Sequence, residues 1–212
     1  MRRLIPLLLL SACAAPQAPL TRPPAPQPAA ELSNPAFAPG GWAQAVLPAD
    51  RQRLLGVDEA WYAALGAVRR GGYGAELAAL SALAEERAGL PAAEPPPGLY
   101  RCRTIKLGGL PYVAYPWFRC RVARTDEGLR FDKLTGSQRQ SGRLYPDGER
   151  RMVFLGAIAW GDTEAAAPAY GVSAERDQVG FLERVGPQRW RLALPFPRQE
   201  SLLDLIELTP EA

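Results

Sequence analysis

The sequence predicts an α+β fold, an N-terminal helical hairpin packed on a small antiparallel β-barrel of about eight strands. Three observations carry that expectation. Between Trp42 and Gly89 the apolar residues recur at helical spacing. Beyond Gly98 the texture changes to short apolar or alternating stretches separated by turn residues. Those stretches follow one another so closely that hairpins must join most of them, and a meander of that kind removes its edges by closing. The proportions are those of a lipocalin or calycin. A two-sheet β-sandwich is the alternative.

The chain opens MRRLIPLLLLSACAAP. Arg2 and Arg3 form a positive n-region and Leu4 to Leu10 an apolar h-region, too short to cross a bilayer, which takes ~20 apolar residues. Leu10-Ser11-Ala12-Cys13 resembles the lipobox of bacterial lipoproteins, which implies cleavage after residue 12 and lipidation of Cys13. Several acyl chains on one residue anchor a protein stably where one does not. Ala14 after the cysteine implies, through the same resemblance, the periplasmic face of the outer membrane. Residues 13–40 are rich in proline and alanine and read as a polyproline-like tether between lipid and domain.

Residues 41–90 carry the helical hairpin. Leu54, Val57, Trp61 and Leu65 define one helix over 48–70, and Leu77, Leu80 and Leu83 a second over 74–88, with Gly71-Gly72 as the break. Pro91 and Pro95-Pro96-Pro97 end the helical part. Strands are expected at 99–107, 117–125, 129–135, 138–145, 151–159, 178–185, 189–194 and 202–208. Asp126-Glu127-Gly128, Pro146-Asp147-Gly148 and Gly186-Pro187 supply turns between them. Trp190, Leu192 and Leu194 alternating with Arg189 and Arg191 show the half-buried pattern most clearly. The span 98–210 is thus the barrel, packed with the helices as one domain.

Composition excludes several function classes. The net charge is +3, of which Arg2 and Arg3 leave with the signal, so no bulk charge favours nucleic acid. The chain has no histidine, which removes Ser-His-Asp hydrolysis and the common zinc sites. Neither G-x-G-x-x-G nor a P-loop is present. No metal and no cofactor is expected. Without histidine, Cys102 and Cys120 have neither a general base nor metal co-ligands. In an oxidising compartment two remaining cysteines are expected to pair as a disulfide.

The stretches GLYRCRTIKLG, FDKLTGSQRQSGRLYPD, VFLGAI, AYG, RWRLALP and ESLLDLIEL occur in this order. Together they resemble an alphaproteobacterial family catalogued as domain of unknown function 4893, over nearly all of Trp42 to Pro210. The resemblance implies an envelope protein of this length and implies no activity.

Two groups of residues are candidate sites. If Cys102 faces Cys120 across neighbouring strands, Arg101, Arg103, Arg119 and Arg121 stand opposed on the other face of the sheet. Opposed like charges call for an anion, either lipid phosphate or cell-wall carboxylate, or for internal acidic partners. The second group follows from lysine usage, since 23 arginines accompany only Lys106 and Lys133. Lys133, Thr135, Ser137, Gln138 and Arg139 crowd a turn at Gly136, and a bend of the first strand would bring Lys106 to the same rim. Such groups can hold an anionic or sugar-like ligand, or can satisfy backbone at a turn. Carboxylates for glycoside chemistry exist at Asp162, Glu164, Glu175, Asp177, Glu200 and Asp204, with no spacing that singles out a pair.

The resulting expectation is a non-enzymatic, lipid-anchored envelope module that binds a ligand, an envelope protein or an anionic cell-surface component. A cell-wall or polysaccharide enzyme using carboxylates, and a structural protein or small-barrel protease inhibitor, are the alternatives. A barrel with an open mouth favours ligand binding, and one filled by its own aromatics favours a scaffold or an inhibitor.

Overall fold

The structure, a computed structural model, describes residues 40–85, 89–161 and 164–211. The predicted signal at 1–12, Cys13, and the tether up to residue 39 lie outside these residues. Among the described residues four helices precede the strands: α1 (Trp42–Ala45), α2 (Pro48–Leu55), α3 (Val57–Arg70) and α4 (Gly74–Leu80), the last continued by a 3₁₀ turn at Ser81–Ala84. Nine strands follow: β1 (Gly98–Leu107), β2 (Tyr112–Ala114), β3 (Phe118–Thr125), β4 (Gly128–Lys133), β5 (Gln138–Pro146), β6 (Arg151–Trp160), β7 (Asp177–Gly186), β8 (Arg189–Pro195) and β9 (Leu203–Pro210).

From β3 to β9 each strand pairs antiparallel with the next. Closure comes from β1, which pairs with β9 along Tyr100–Leu107 and with β3 along Gly98–Cys102. β2 pairs with Ile105–Leu107 on the edge of β1 opposite β9, so it prolongs the wall position of β3. Three steps along β1, from Cys102 to Ile105, face four steps on the other side, from Phe118 back to Ala114. β2 and β3 are therefore one wall position broken by a bulge around Pro116, which has no N–H to give a ladder. The fold is α+β with a closed antiparallel barrel.

Alternation along the strands decides what faces inward. Tyr100, Phe131, Phe154, Trp190 and a set of leucines fill the barrel as one buried cluster that includes both cysteines. Tyr100 meets Trp190 edge-on at 6.0 Å and Phe131 meets Phe154 at 5.9 Å, the favoured geometry for ring quadrupoles. The Tyr100 hydroxyl donates to Pro96 O at 2.6 Å and Trp190 Nε1 to Ala93 O at 3.0 Å, so the segment before β1 stoppers this end. Curvature is made at Gly142 and Gly156, which face each other across β5 and β6. A Cβ on Gly156 would lie 2.4 Å from Ser141 O and 2.5 Å from Phe154 Cζ, so the Phe154 ring covers backbone where no side chain fits.

The helices pack on the outside of the wall. Ala60, Trp61, Ala64, Leu65 and Val68 form the buried stripe of α3 and lie on Ile105, Leu107, Ala193, Leu203 and Leu205. Each large side chain buried there contributes about 1.5–3 kcal/mol. α2 is held through Arg53, which donates to Asp50 and to Asp177 O, both at 3.0 Å.

Three expectations about elements change. The helix expected over 48–70 is broken at Gly56, where a Cβ would sit 3.1 Å from the Phe196 ring. The helix expected over 74–88 stops at Leu80 and tightens to a 3₁₀ turn, with Ser81 at φ 51°. β2 was not anticipated, being only three residues long. The register around the cysteines also differs from expectation. Cys102 faces Phe118 and Cys120 faces Tyr100, so the pair is diagonal rather than opposed. The disulfide is nonetheless formed, with Cα atoms 5.9 Å apart and both residues fully buried inside the barrel. As a consequence Arg101 faces Arg119, not Arg121.

Candidate functional site

The two lysines are both buried near the end of the barrel opposite the Tyr100–Trp190 stopper, and their surroundings differ. Lys106 projects inward from β1 and pairs with Glu200 at 3.0 Å and Asp204 at 3.6 Å. Burial alone would lower its pKa, but Asp204 and Glu200 outweigh burial and raise it. Two carboxylates share this one ammonium, so burial still leaves Asp204 raised from the ordinary carboxylate value. The space beside them, lined by Gln138, Trp160 and Gln178, is about 10 Å³, room for one water and not for a sugar ring.

Lys133 ends β4. Its Nζ donates to Gln138 O at 2.6 Å and lies 4.0 Å from the Phe118 ring centroid. Among the described residues no carboxylate pairs with it. Burial first, then repulsion from Arg139 and Lys106, brings the amine down to about 8. Gly136 makes this packing possible: at φ 91° it turns the chain, and a Cβ there would lie 3.0 Å from Nζ and 2.9 Å from the Phe118 ring.

Arg139 clamps the same turn. Its guanidinium donates to Gly136 O at 2.9 Å, to Gly161 O at 2.6 Å and to Glu164 O. Thr135 is exposed and accepts from Arg119 N at 3.0 Å, while Ser137 O accepts from Gly161 N at 2.7 Å. Gln138 offers its carbonyl to Lys133 and lines the space beside Lys106.

The four arginines around the cysteines do not form one surface. Arg101 and Arg103 lie over the Trp117 ring at 5.0 and 4.9 Å, and Arg103 also pairs with Glu207 at 2.6 Å. Arg119 pairs with Glu211 at 3.2 Å. Arg121 turns toward β4 and pairs with Asp132 at 3.1 Å.

Arg121 thereby joins Arg139 in a cleft of about 310 Å³ on the outer wall of the barrel, lined also by Ala165–Ala167; Lys133 borders it, but its Nζ turns to Gln138 O and the Phe118 ring on the inward face. Arg130, Asp132 and Ser141 complete it. Their placement follows from the ladder, in which Arg121 faces Asp132 and Asp132 faces Ser141. Burial alone would raise the Asp132 carboxyl, but the Ser141 hydroxyl and the Arg121 and Arg130 guanidiniums hold it below its ordinary range. Among the described residues, the three arginines Arg121, Arg130 and Arg139 line this cleft against one carboxylate.

A wider groove of about 640 Å³ runs between α3 and the outer faces of β6, β7 and β8. It carries no excess of cations: Asp58, Asp147, Glu149 and Glu183 line it with Arg150, Arg151 and Arg191, and Arg151 pairs with Asp147 at 2.6 Å and Arg191 with Glu183 at 2.5 Å. The smaller cleft has the excess of positive charge, and it is the candidate site. Arg130, Asp132 and Ser141 were not anticipated from the sequence. The alternation in GLRFDK puts Arg130 and Asp132 on one face, but only the register supplies their partners.

Fold and cleft together describe a packed-core barrel with an arginine-lined cleft on its wall. The chain belongs to the family described as "Domain of unknown function (DUF4893)", whose match covers residues 42–208. No curated protein and no solved structure matches it.

Proposed function

We propose that the protein is a non-enzymatic envelope module, lipid-anchored through Cys13 at the periplasmic face of the outer membrane, that binds an anionic group of a cell-surface component or envelope partner. The observation that carries this reading is the charge imbalance of the cleft, where Arg121, Arg130 and Arg139 are among the lining side chains and Asp132 is the one lining carboxylate among the described residues. Arginine forks suit phosphate and carboxylate oxygens, and a cleft of this volume lies at the small end of ligand sites. Titration of the mature chain with inorganic pyrophosphate, followed by calorimetry, tests it. Saturable binding that weakens about tenfold in Arg130→Gln supports the reading, the loss expected for one charge-assisted hydrogen bond. No saturable heat, or equal affinity in the variant, refutes it.

The filled barrel favours a second reading. With Tyr100, Phe131, Phe154 and Trp190 occupying the interior, a lumenal ligand has no place, and a structural envelope role or a small-barrel inhibitor needs none. Under that reading the arginines of the cleft only brace β3, β4 and β5 against one another, and pyrophosphate does not bind.

A further inference from the structure

We propose that the outward face of β3, β4 and β5 docks on a bilayer of anionic phospholipid, with headgroup phosphates held by Arg121, Arg130 and Arg143. This rests on the anion-binding reading above and names the partner.

Alternation and register build the face. Arg121 of β3 faces Asp132 of β4, Asp132 faces Ser141 of β5, and Arg130 of β4 faces Arg143 of β5, all on the side away from the barrel interior. The last pair carries the argument. Like charges directly opposed across antiparallel strands destabilise a sheet. Among the described residues no carboxylate pairs with Arg143, which lies over the Tyr145 ring at 4.6 Å. Arginines that only braced these strands would meet an acid opposite Arg130. Arg121 and Arg130 share Asp132, and their side chains are 52% and 38% exposed. Both keep N–H groups for phosphate oxygens. The helices leave this face open: among the described residues, the apolar clusters that hold them draw on β1, β2 and β5 to β9, and on no residue of β3 or β4.

Exposed apolar side chains beside the arginines favour a bilayer over a soluble polyanion. Leu99 of β1 faces Arg121 and is 42% exposed. Leu134, which lines the cleft, is 37% exposed, and Ala165 and Ala166 are exposed beside it. Arginine set among apolar groups suits the boundary between headgroup and acyl chain, where phosphate and hydrocarbon are met together. The anchor proposed at Cys13 holds the domain next to such a surface, so individually weak contacts suffice there.

Vesicle sedimentation tests this with the mature chain carrying Cys13→Ser, which has no acyl chains of its own. The vesicles are phosphatidylcholine alone, or phosphatidylcholine and phosphatidylglycerol in equal parts. The expected result is binding to the anionic vesicles only, lost as salt rises to about 0.5 M. One basic residue at an anionic surface strengthens binding about fivefold, so Arg143→Glu, which changes the charge by two, is expected to weaken it about thirtyfold. The same substitution sets opposite charges across β4 and β5 and is expected to leave Tm unchanged or raised, which separates lost docking from a lost fold. Leu134→Ser is expected to weaken binding about fivefold through lost apolar contact. Equal sedimentation with both kinds of vesicle, or undiminished binding by Arg143→Glu, overturns the proposal. If pyrophosphate binds and anionic vesicles do not, docking on lipid is refuted, anion binding stands, and a free anion or an acidic protein is the partner that is left. If neither binds, both readings fail.

Discussion

Replacing Lys133 with methionine removes a buried ammonium whose charge no described carboxylate balances, and the effect on stability depends on pH in a way the structure fixes. In the fold the amine titrates at about 8 against an ordinary 10.5. The groups that press on it are Arg139 from β5 and Lys106 from β1, both cationic, while Phe118 of β3 offers only its ring. A depressed lysine pKa means the folded state binds this proton less tightly than the unfolded chain does. Below pH 8 both states are protonated and the fold bears the whole penalty. Between pH 8 and 10.5 the folded form sheds its proton first, and stability rises by about 3 kcal/mol, the equivalent of the shift. Lys133→Met lacks this rise. Urea unfolding of both proteins from pH 6.5 to 10.5 measures it, and subtraction cancels the tyrosines and other groups common to both. The stability of the natural protein relative to the variant is expected to climb by that amount across the interval. At pH 7 the variant is expected to be no less stable than the natural protein, even after losing the bond to Gln138 O, which is worth about 1 kcal/mol. A pH-independent difference, or a large loss at pH 7, would show that Lys133 is an anchor of the fold and is not a strained cation.

Replacing both Cys102 and Cys120 with alanine opens a chain closure spanning 18 residues. It is expected to cost about 3 kcal/mol by chain entropy and to lower Tm on the order of 10 °C by calorimetry. Gly156→Ala puts a Cβ 2.4 Å from Ser141 O, and a loss of about 3 kcal/mol or more in urea unfolding is expected, at the upper end of overpacking. Cys13→Ser is expected to release the protein from membranes into the soluble fraction, as fractionation with immunoblotting would show, because the anchoring acyl chains would be lost.

The strands were legible because an inward-facing residue and an outward-facing one alternate almost without interruption from Gly98 on, so β1 and β4 to β9 fall within two residues of expectation at each end. β2 was not legible: Tyr112-Val113-Ala114 is too short to show a period, and Pro116 hides its continuity with β3. The bulge beside that proline, together with the ten-residue connection from β1 to β3, also put the cysteine register out of reach, and with it the partner of Arg121. Closure was expected on general grounds only, since the β1–β9 pairing joins residues about a hundred positions apart. The site was half legible. Lys133 and Arg139 stood out by residue type and by their turn, whereas Arg130, Asp132 and Ser141 acquire meaning only as cross-strand neighbours.

The division of labour between arginine and lysine follows from how each can be satisfied in a confined space. Arg139 is placed where three carbonyls converge, and Arg191, buried beside β7 and the 3₁₀ turn, donates to Leu83 O at 3.2 Å and to Glu85 O and Glu183 at 2.5 Å. A guanidinium has five donors on a rigid plane and keeps its charge, so burying it requires several acceptors at once. Lys133 meets one carbonyl and one aromatic face in the space that Gly136 leaves. An arginine there would leave donors unsatisfied, and its charge could not be shed. Lysine can lose its proton, and that makes the position tolerable to the fold.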